Sequence, residues 1–309
     1  MALHLIKYVP LSVLRGLATV CACIANTFHL GIYRSIWANL TLINPEMSDE
    51  QKTKLSKKIL KNQLLSIVDT LKSWAMPPAW SVKKISKVHR LSILEAGFAH
   101  PNGMLLVVPH LGTWEMMNPW INSWGSPTIM YKPIKQPALN NFVLASRERT
   151  KSTLVPTDAT GVKAVFKALK NGEFSVILPD HVPDLSGGVV VPFFGIETLS
   201  STLTSKLAQK THCALVGLSC IRTQTGDYEV FCYELDDPQL YDKDIHVATA
   251  ALNRAVQSII EPHFEHYMWG YRRFRETPLI DNPYPLSIDE LTLLAKQLHA
   301  RTQSKDNKG

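Results

Sequence analysis

The sequence predicts an α/β fold in which helices flank a mixed β-sheet, preceded by a membrane-anchoring helix. Short apolar runs alternate with segments of helical period, as in strand–helix units that share one sheet. Two late apolar runs flank the turn-forming residues QTGD, which indicates an antiparallel pair in the same sheet. The 309 residues, 45% hydrophobic and 19% charged, suffice for a sizeable core.

The stretch from Gly16 to Tyr33 carries no formal charge and predicts the anchor. Its 18 residues make a helix of about 27 Å, just short of the ~30 Å hydrocarbon core of a bilayer. A cleaved signal peptide and a buried helix of the folded domain are the alternatives, although Arg15 interrupts the apolar region that a signal peptide needs. The lysines that follow predict a cytoplasmic position for the rest of the chain: Lys52, Lys54, Lys57, Lys58 and Lys61.

Ser48 and Gln51 form a capping-box pattern that opens a predicted helix ending near Trp74. Its first half is rich in lysine, which fits either a solvated face or contact with an anionic membrane.

Four apolar runs then predict buried strands at 104–109, 128–131, 152–156 and 174–179. Helical segments separate these strands at about 113–124, 137–149 and 160–171, and Gly172 is placed to end the last of them. The two strands of the late antiparallel pair are predicted at 212–223 and 228–235.

His110 directly follows the first of these strands, and Glu115 comes five positions later. Ligands of open α/β sheets bind beyond the carboxyl ends of the strands, which is where His110 falls. Gly112 permits a tight turn, and Thr113 can cap a helix that carries Glu115 in its first turn. A histidine that donates one ring N–H to a carboxylate can act as a general base through its other nitrogen. A structural histidine bonded to a neighbour is the alternative.

The net charge of +7 and the pI of about 9.1 favour anionic partners. No nucleic-acid-binding motif appears, whereas phosphorylated lipids, an anionic membrane surface and an acidic carrier protein all fit. Five cysteines without a C-x-x-C pair indicate a reducing compartment. His181 with Asp180 and Asp184 could shape a loop as well as bind a metal, and we expect no metal there. We also expect no organic cofactor.

Four blocks together resemble the late acyltransferases of lipid A biosynthesis, within the glycerolipid acyltransferase superfamily. They are HLGTWE (110–115), YKPIKQPALN (131–140), ILPDHVPDLSGGVVVPFFG (177–195) and EHYMWGYRRFRETP (265–278). The resemblance implies a glycerolipid acyltransferase-like fold and an enzyme on the cytoplasmic face of the bacterial inner membrane. It also implies an acyl carrier protein as donor, and a hydroxyl on a hydroxyacyl chain of the Kdo-bearing lipid A precursor as acceptor.

Carried over residue by residue, the resemblance assigns catalysis to His110 and Glu115. It assigns substrate binding to Lys132, Arg147, Arg149, Asp180, Arg272 and Arg273. Five residues depart from the family pattern. Among them, Thr113 replaces asparagine, Lys132 replaces an arginine and His181 replaces glutamine. Gln257 and Glu261 also differ from the residues usual in relatives and receive no role.

The predicted organisation is an anchor at 1–35, a catalytic domain at 36–300 and a flexible tail at 301–309. Two alternative functions stay open. One is acyl transfer to another lipid, such as a lysophospholipid, an ornithine lipid or a glycolipid. The other is an inactive lipid-binding protein with the same fold.

Overall fold

A computed structural model describes residues 2–306 and divides them into two compact units. Unit 1 comprises residues 2–18, 65–178 and 210–236, and unit 2 comprises 19–64, 179–209 and 237–306.

Nine strands lie within the described residues. They are β1 (Ile85–His89), β2 (Met104–Val107), β3 (Thr128–Tyr131), β4 (Thr153–Pro156), β5 (Phe174–Ile177), β6 (Gly188–Phe193), β7 (Ile196–Ser201), β8 (Ala214–Arg222) and β9 (Tyr228–Glu234). The same part of the chain forms eleven α-helices. They are α1 (Leu11–Thr27), α2 (Gly31–Ile43), α3 (Asp49–Ala75), α4 (Pro78–Lys84), α5 (Leu91–Phe98), α6 (Trp114–Ile121), α7 (Pro137–Thr150), α8 (Ala159–Lys170), α9 (Leu203–Thr211), α10 (Ile245–Ile260) and α11 (Ile288–Asp306). Short 3₁₀ helices occupy Ala2–Tyr8, Leu185–Gly187, Pro238–Tyr241 and Glu261–His266.

Unit 1 contains a seven-stranded sheet in the order β1-β9-β8-β2-β5-β3-β4. The five strands from β8 to β4 run parallel, β9 pairs antiparallel with β8, and β1 runs parallel to β9. Strand β2 lies between two neighbours and all four of its side chains are buried, so its continuous apolar run is explained by burial on both faces. The predicted mixed α/β sheet flanked by helices is confirmed.

Local signals located several elements correctly. Ser48 N–H donates to Gln51 Oε1 at 3.0 Å and Gln51 N–H donates to Ser48 Oγ at 3.3 Å, so the predicted capping box opens α3. Gly172 follows α8 with a φ of +79°, the left-handed conformation that commonly ends a helix. Strand β1 was not predicted, because the half-exposed ISKVH segment offers no continuous apolar run.

The prediction of one helix through Gly16–Tyr33 is wrong. Helix α1 ends at Thr27 and α2 begins at Gly31, with His29 between them at a φ of +47°. A positive φ in a residue other than glycine is incompatible with a continuous right-handed helix. Among residues 2–306 no single helix is long and apolar enough to cross a bilayer, although α1 and α2 together reach that length as a pair bent by 69°.

Unit 2 contains the antiparallel hairpin β6–β7, with Phe193 opposite Ile196 at its turn. Trp269, Phe274 and Phe193 are among its most deeply buried side chains. The tail predicted from residue 301 is helical as far as Asp306, because Arg301 pairs with Glu197 at 2.8 Å and Thr302 is buried. Residues 307–309 lie outside the described residues.

Candidate active site

His110 lies beyond the carboxyl end of β2, on the turn that leads into α6. Gly112 on this turn has a φ of +63° and forms a bridge with Cys220 of β8. Thr113 N–H donates to the Cys220 carbonyl oxygen at 2.8 Å. A β-carbon at position 112 would lie 2.1 Å from that oxygen, so this close approach requires glycine. The turn therefore joins the histidine and the helix within a few residues.

Glu115 occupies the first turn of α6 and is 2% exposed. The indole Nε1–H of Trp74 donates to its Oε2 at 2.9 Å, and Nη2 of Arg147 donates to its Oε1 at 2.5 Å. Ser73 Oγ also donates to the Glu115 carbonyl oxygen at 3.3 Å. Each carboxylate oxygen thus has a donor from a different helix, α3 or α7, and the carboxylate plane is held from two sides.

His110 and Arg147 share one neighbour. The His110 ring lies 6.1 Å from the Trp114 ring in an edge-on arrangement, and the Arg147 guanidinium lies 6.0 Å from the same ring. His110 is half-buried. Thr113 precedes α6 as expected, but its side chain donates to Ser66 Oγ at 3.2 Å and makes no capping bond to the helix.

The three basic residues predicted in unit 1 have different surroundings. Arg147 is buried against Glu115, so it is an internal partner of the carboxylate and its expected role on the substrate is not supported by its position. Arg149 is exposed and donates to the Trp74 carbonyl oxygen. Lys132 is exposed and directly follows β3, at the same edge of the parallel strands as His110. Burial raises the pKa of the adjacent Tyr131, and the nearby charge of Arg147 opposes that shift.

The other three predicted residues belong to unit 2. Arg273 is 1% exposed and donates to the Leu199 carbonyl oxygen at 2.9 Å and to Ser200 Oγ at 2.7 Å, so it is part of the interior of that unit. Burial lowers its pKa, against the raising effect of Tyr267 and Asp180.

Asp180 is also buried and hydrogen bonds to Tyr267. Burial, and then the charge of Asp180, hold the pKa of Tyr267 well above its usual value. Arg272 is exposed, with its guanidinium 5.6 Å from the Tyr284 ring.

Trp74 is the site residue that the sequence did not reveal. It lies 41 positions from Glu115, on a helix whose apolar period explains an aromatic residue equally well as packing material. Within the described residues, no three His, Cys, Asp or Glu side chains are grouped to hold a metal ion.

The chain is similar to several known proteins. The family profile for bacterial lipid A biosynthesis acyltransferases matches residues 1–276. The chain is 26% identical over 278 residues to the lipid A biosynthesis lauroyltransferase of Escherichia coli K12, covering 89% of this chain and 90% of that protein. It is 23% identical over 243 residues to the palmitoleoyltransferase of lipid A biosynthesis from the same strain, with 78% of each covered.

A shorter similarity links the chain to the phosphatidylinositol mannoside acyltransferase of Mycolicibacterium smegmatis. The two are 30% identical over 141 residues, 43% of each chain. The resemblance noted in the four sequence blocks is thereby confirmed. Because the family profile extends over most of the chain, the protein belongs to the bacterial lipid A biosynthesis acyltransferase family.

Proposed function

We propose that this enzyme transfers an acyl chain from acyl carrier protein to a hydroxyl on a hydroxyacyl chain of the Kdo-bearing lipid A precursor. One observation carries the proposal: a histidine at the edge of the sheet leads, through a tight glycine turn, into a buried glutamate held by two donors. A fixed carboxylate that follows a half-buried imidazole across one tight turn is the kind of arrangement that general-base catalysis uses.

In the proposed mechanism, His110 removes the proton from the acceptor hydroxyl as that oxygen attacks the thioester carbonyl. The tetrahedral intermediate then collapses, the C–S bond breaks, and the leaving thiolate takes the proton back from the imidazolium. Glu115 orients the ring and stabilises its positive charge during the attack. Because the thioester already activates the acyl group, the reaction needs no metal or organic cofactor.

The exposed cations are the candidates for binding the phosphates and carboxylates of the acceptor. Arg149 and Arg272 can each place two parallel N–H groups on a phosphate, whereas Lys132 provides a point charge. Arg147 and Arg273 are buried and paired with protein groups, so we exclude them from this role. The net charge of +7 favours approach to an anionic membrane and to an acidic carrier protein.

We place the enzyme on the cytoplasmic face of the inner membrane, and helix α1 supports its attachment to a bilayer. Val13, Leu17, Val20 and Ile24 recur at intervals of three or four positions, and each is about half exposed. Apolar side chains on one exposed face are typical of a helix that enters a bilayer.

Vesicle sedimentation tests this attachment. Wild-type protein should sediment with phosphatidylethanolamine–phosphatidylglycerol vesicles, whereas the double variant Leu17→Glu/Ile24→Glu should remain in the supernatant. Undiminished sedimentation would refute the attachment.

The function is tested by supplying purified enzyme with tetra-acylated precursor and a panel of acyl carrier protein donors. We expect His110→Ala to lower the rate by about 10²- to 10⁴-fold. His89→Ala is the matched control, because His89 is a half-buried histidine of the same unit, on β1. Near-normal transfer by the His110 variant would refute the mechanism.

The similarity to a phosphatidylinositol mannoside acyltransferase favours one second candidate, an acceptor of another lipid class. Mass spectrometry of lipid A from a deletion strain separates the two acceptors, because an unchanged acyl pattern would mean that the enzyme acts on a different lipid. Consumption of the donor thioester, measured with and without acceptor, distinguishes either enzyme from an inactive lipid-binding protein.

A further inference from the structure

Lys72 holds the first segment of the chain against helix α3. Its ammonium, 5% exposed, donates to the carbonyl oxygens of Ile6, Lys7 and Val9 at 2.9, 2.9 and 2.8 Å. All three ammonium donors are therefore used. Their acceptors lie at the end of the 3₁₀ helix Ala2–Tyr8, where backbone carbonyls lack partners within the helix.

The same segment also contacts α7. The His4 ring meets Phe142 edge-on at 5.5 Å, and Phe142 in turn meets Trp74 edge-on at 6.4 Å. Residues 2–9, here called the strap, are thus attached to α3 through Lys72 and to α7 through His4. These two helices supply the two donors to the Glu115 carboxylate, Trp74 and Arg147.

Trp74 is the penultimate residue of α3, and the last turn of a helix frays readily unless something holds it. Lys72 is in that same turn, and Met76 N–H donates to its carbonyl oxygen at 3.0 Å. Fraying here would release the indole from Oε2 of Glu115 and remove one of the two donors that hold the carboxylate. The contacts of Lys72 with the strap oppose that release.

We infer that Lys72, together with the strap, is a positioning element for the catalytic carboxylate and acts through Trp74. The inference rests on the proposed role of Glu115. It gives residues 2–9 a part in the chemical step.

The test measures kcat and KM of the full-length enzyme carrying Lys72→Met, which preserves side-chain length and removes the donors. We expect kcat to fall about 10-fold with both KM values unchanged, since a small misplacement of a catalytic group lowers the rate of the chemical step. Trp74→Phe should produce a similar loss. Because both act on one interaction, Lys72→Met/Trp74→Phe should be no slower than Trp74→Phe alone. Lys72→Arg, which keeps the charge and donors, should recover part of the rate.

Lys52→Met is the matched control, because Lys52 is an equally buried lysine in the first turns of α3, and its ammonium lies 3.9 Å from the Asp49 carboxylate. It should retain the wild-type kcat. If Lys72→Met does not fold, His4→Ala replaces it, because this variant weakens only the contact of the exposed His4 ring with Phe142. It should lower kcat less than Lys72→Met would. In the Trp74→Phe background it should cause no further loss of kcat.

Two results would overturn the inference: a normal kcat for folded Lys72→Met, or losses that multiply in the double variant. Failure of the proposed function would give a different result from these two. In that case the His110→Ala and Trp74→Phe variants would themselves remain active.

Discussion

Arg147 donates to Oε1 of Glu115 at 2.5 Å, and both side chains are almost completely buried. The residue that the family resemblance assigned to the substrate is therefore the charge partner of the proposed catalytic acid. Removing one member of a buried ion pair leaves the other charge uncompensated, which typically costs about 3–5 kcal/mol.

Arg147→Met should accordingly lower the free energy of unfolding by about 3 kcal/mol and reduce kcat. Glu115→Gln/Arg147→Met should recover stability, because the uncompensated charge is gone, but not activity. Thermal unfolding and steady-state kinetics on purified protein check both points. A variant of normal stability with only a raised KM for the lipid acceptor would instead return Arg147 to substrate binding.

Arg272 and Arg273 are adjacent but should respond oppositely to substitution. Arg273→Met removes hydrogen bonds to Leu199 and Ser200 inside unit 2, so we expect a lower unfolding temperature. Arg272→Ala should leave the unfolding temperature unchanged and raise the acceptor KM about 10-fold, because a charged hydrogen bond contributes roughly 1.5–3 kcal/mol. Reversed phenotypes would contradict the assignment of one residue to the core and the other to the acceptor.

Gly112→Ala should disrupt the turn between His110 and α6. The left-handed conformation costs a residue with a β-carbon about 1–2 kcal/mol, and the new atom would also collide with the Cys220 carbonyl oxygen. Since misplacement of catalytic groups by about 1 Å can cost 10²-fold, we expect a loss of that order in kcat. Gly16→Ala is the control, because no heavy atom lies within 4 Å of the added carbon. Equal activity of the two variants would show that the close approach is not required.

The five cysteines should divide into two reactive and three protected thiols. Cys21 and Cys23 are exposed, whereas Cys213, Cys220 and Cys232 are buried. Burial raises the pKa of all three buried thiols, that of Cys232 to about 11, which lowers the fraction of reactive thiolate at neutral pH. N-ethylmaleimide at pH 7.5 should therefore add twice to folded protein in detergent and five times after denaturation, counted by mass spectrometry. Labelling of Cys220 in the folded protein would contradict the packing of β8.

Elements specified by nearby residues were predictable. The capping box needs only Ser48 and Gln51, and strand β3 has the predicted bounds because four successive residues are apolar enough to be recognised. The location of His110 follows from the buried run of β2, since a chain that leaves the centre of a parallel sheet must turn at its carboxyl edge.

Predictions that depended on the backbone conformation of one residue, or on distant partners, were less successful. The 18-residue apolar stretch was interpreted as one helix, yet it breaks at His29, where Arg34 donates to the His29 carbonyl oxygen at 3.1 Å. Helix composition alone does not reveal such a break. The adjacent Arg272 and Arg273 cannot be distinguished by residue type. Packing against β7 buries Arg273, whereas Arg272 is exposed.

The sequence by itself determined the family, the mixed α/β class, and the histidine and glutamate on which the proposed chemistry depends, because these are written in short contiguous blocks. The tertiary structure alone decided what surrounds the glutamate. Its two donors lie 41 and 32 positions away, on helices that meet only when the chain is packed. The partners of a buried carboxylate are the donors that the packing brings within hydrogen-bonding distance. The spacing of residues along the chain does not reveal which donors these are.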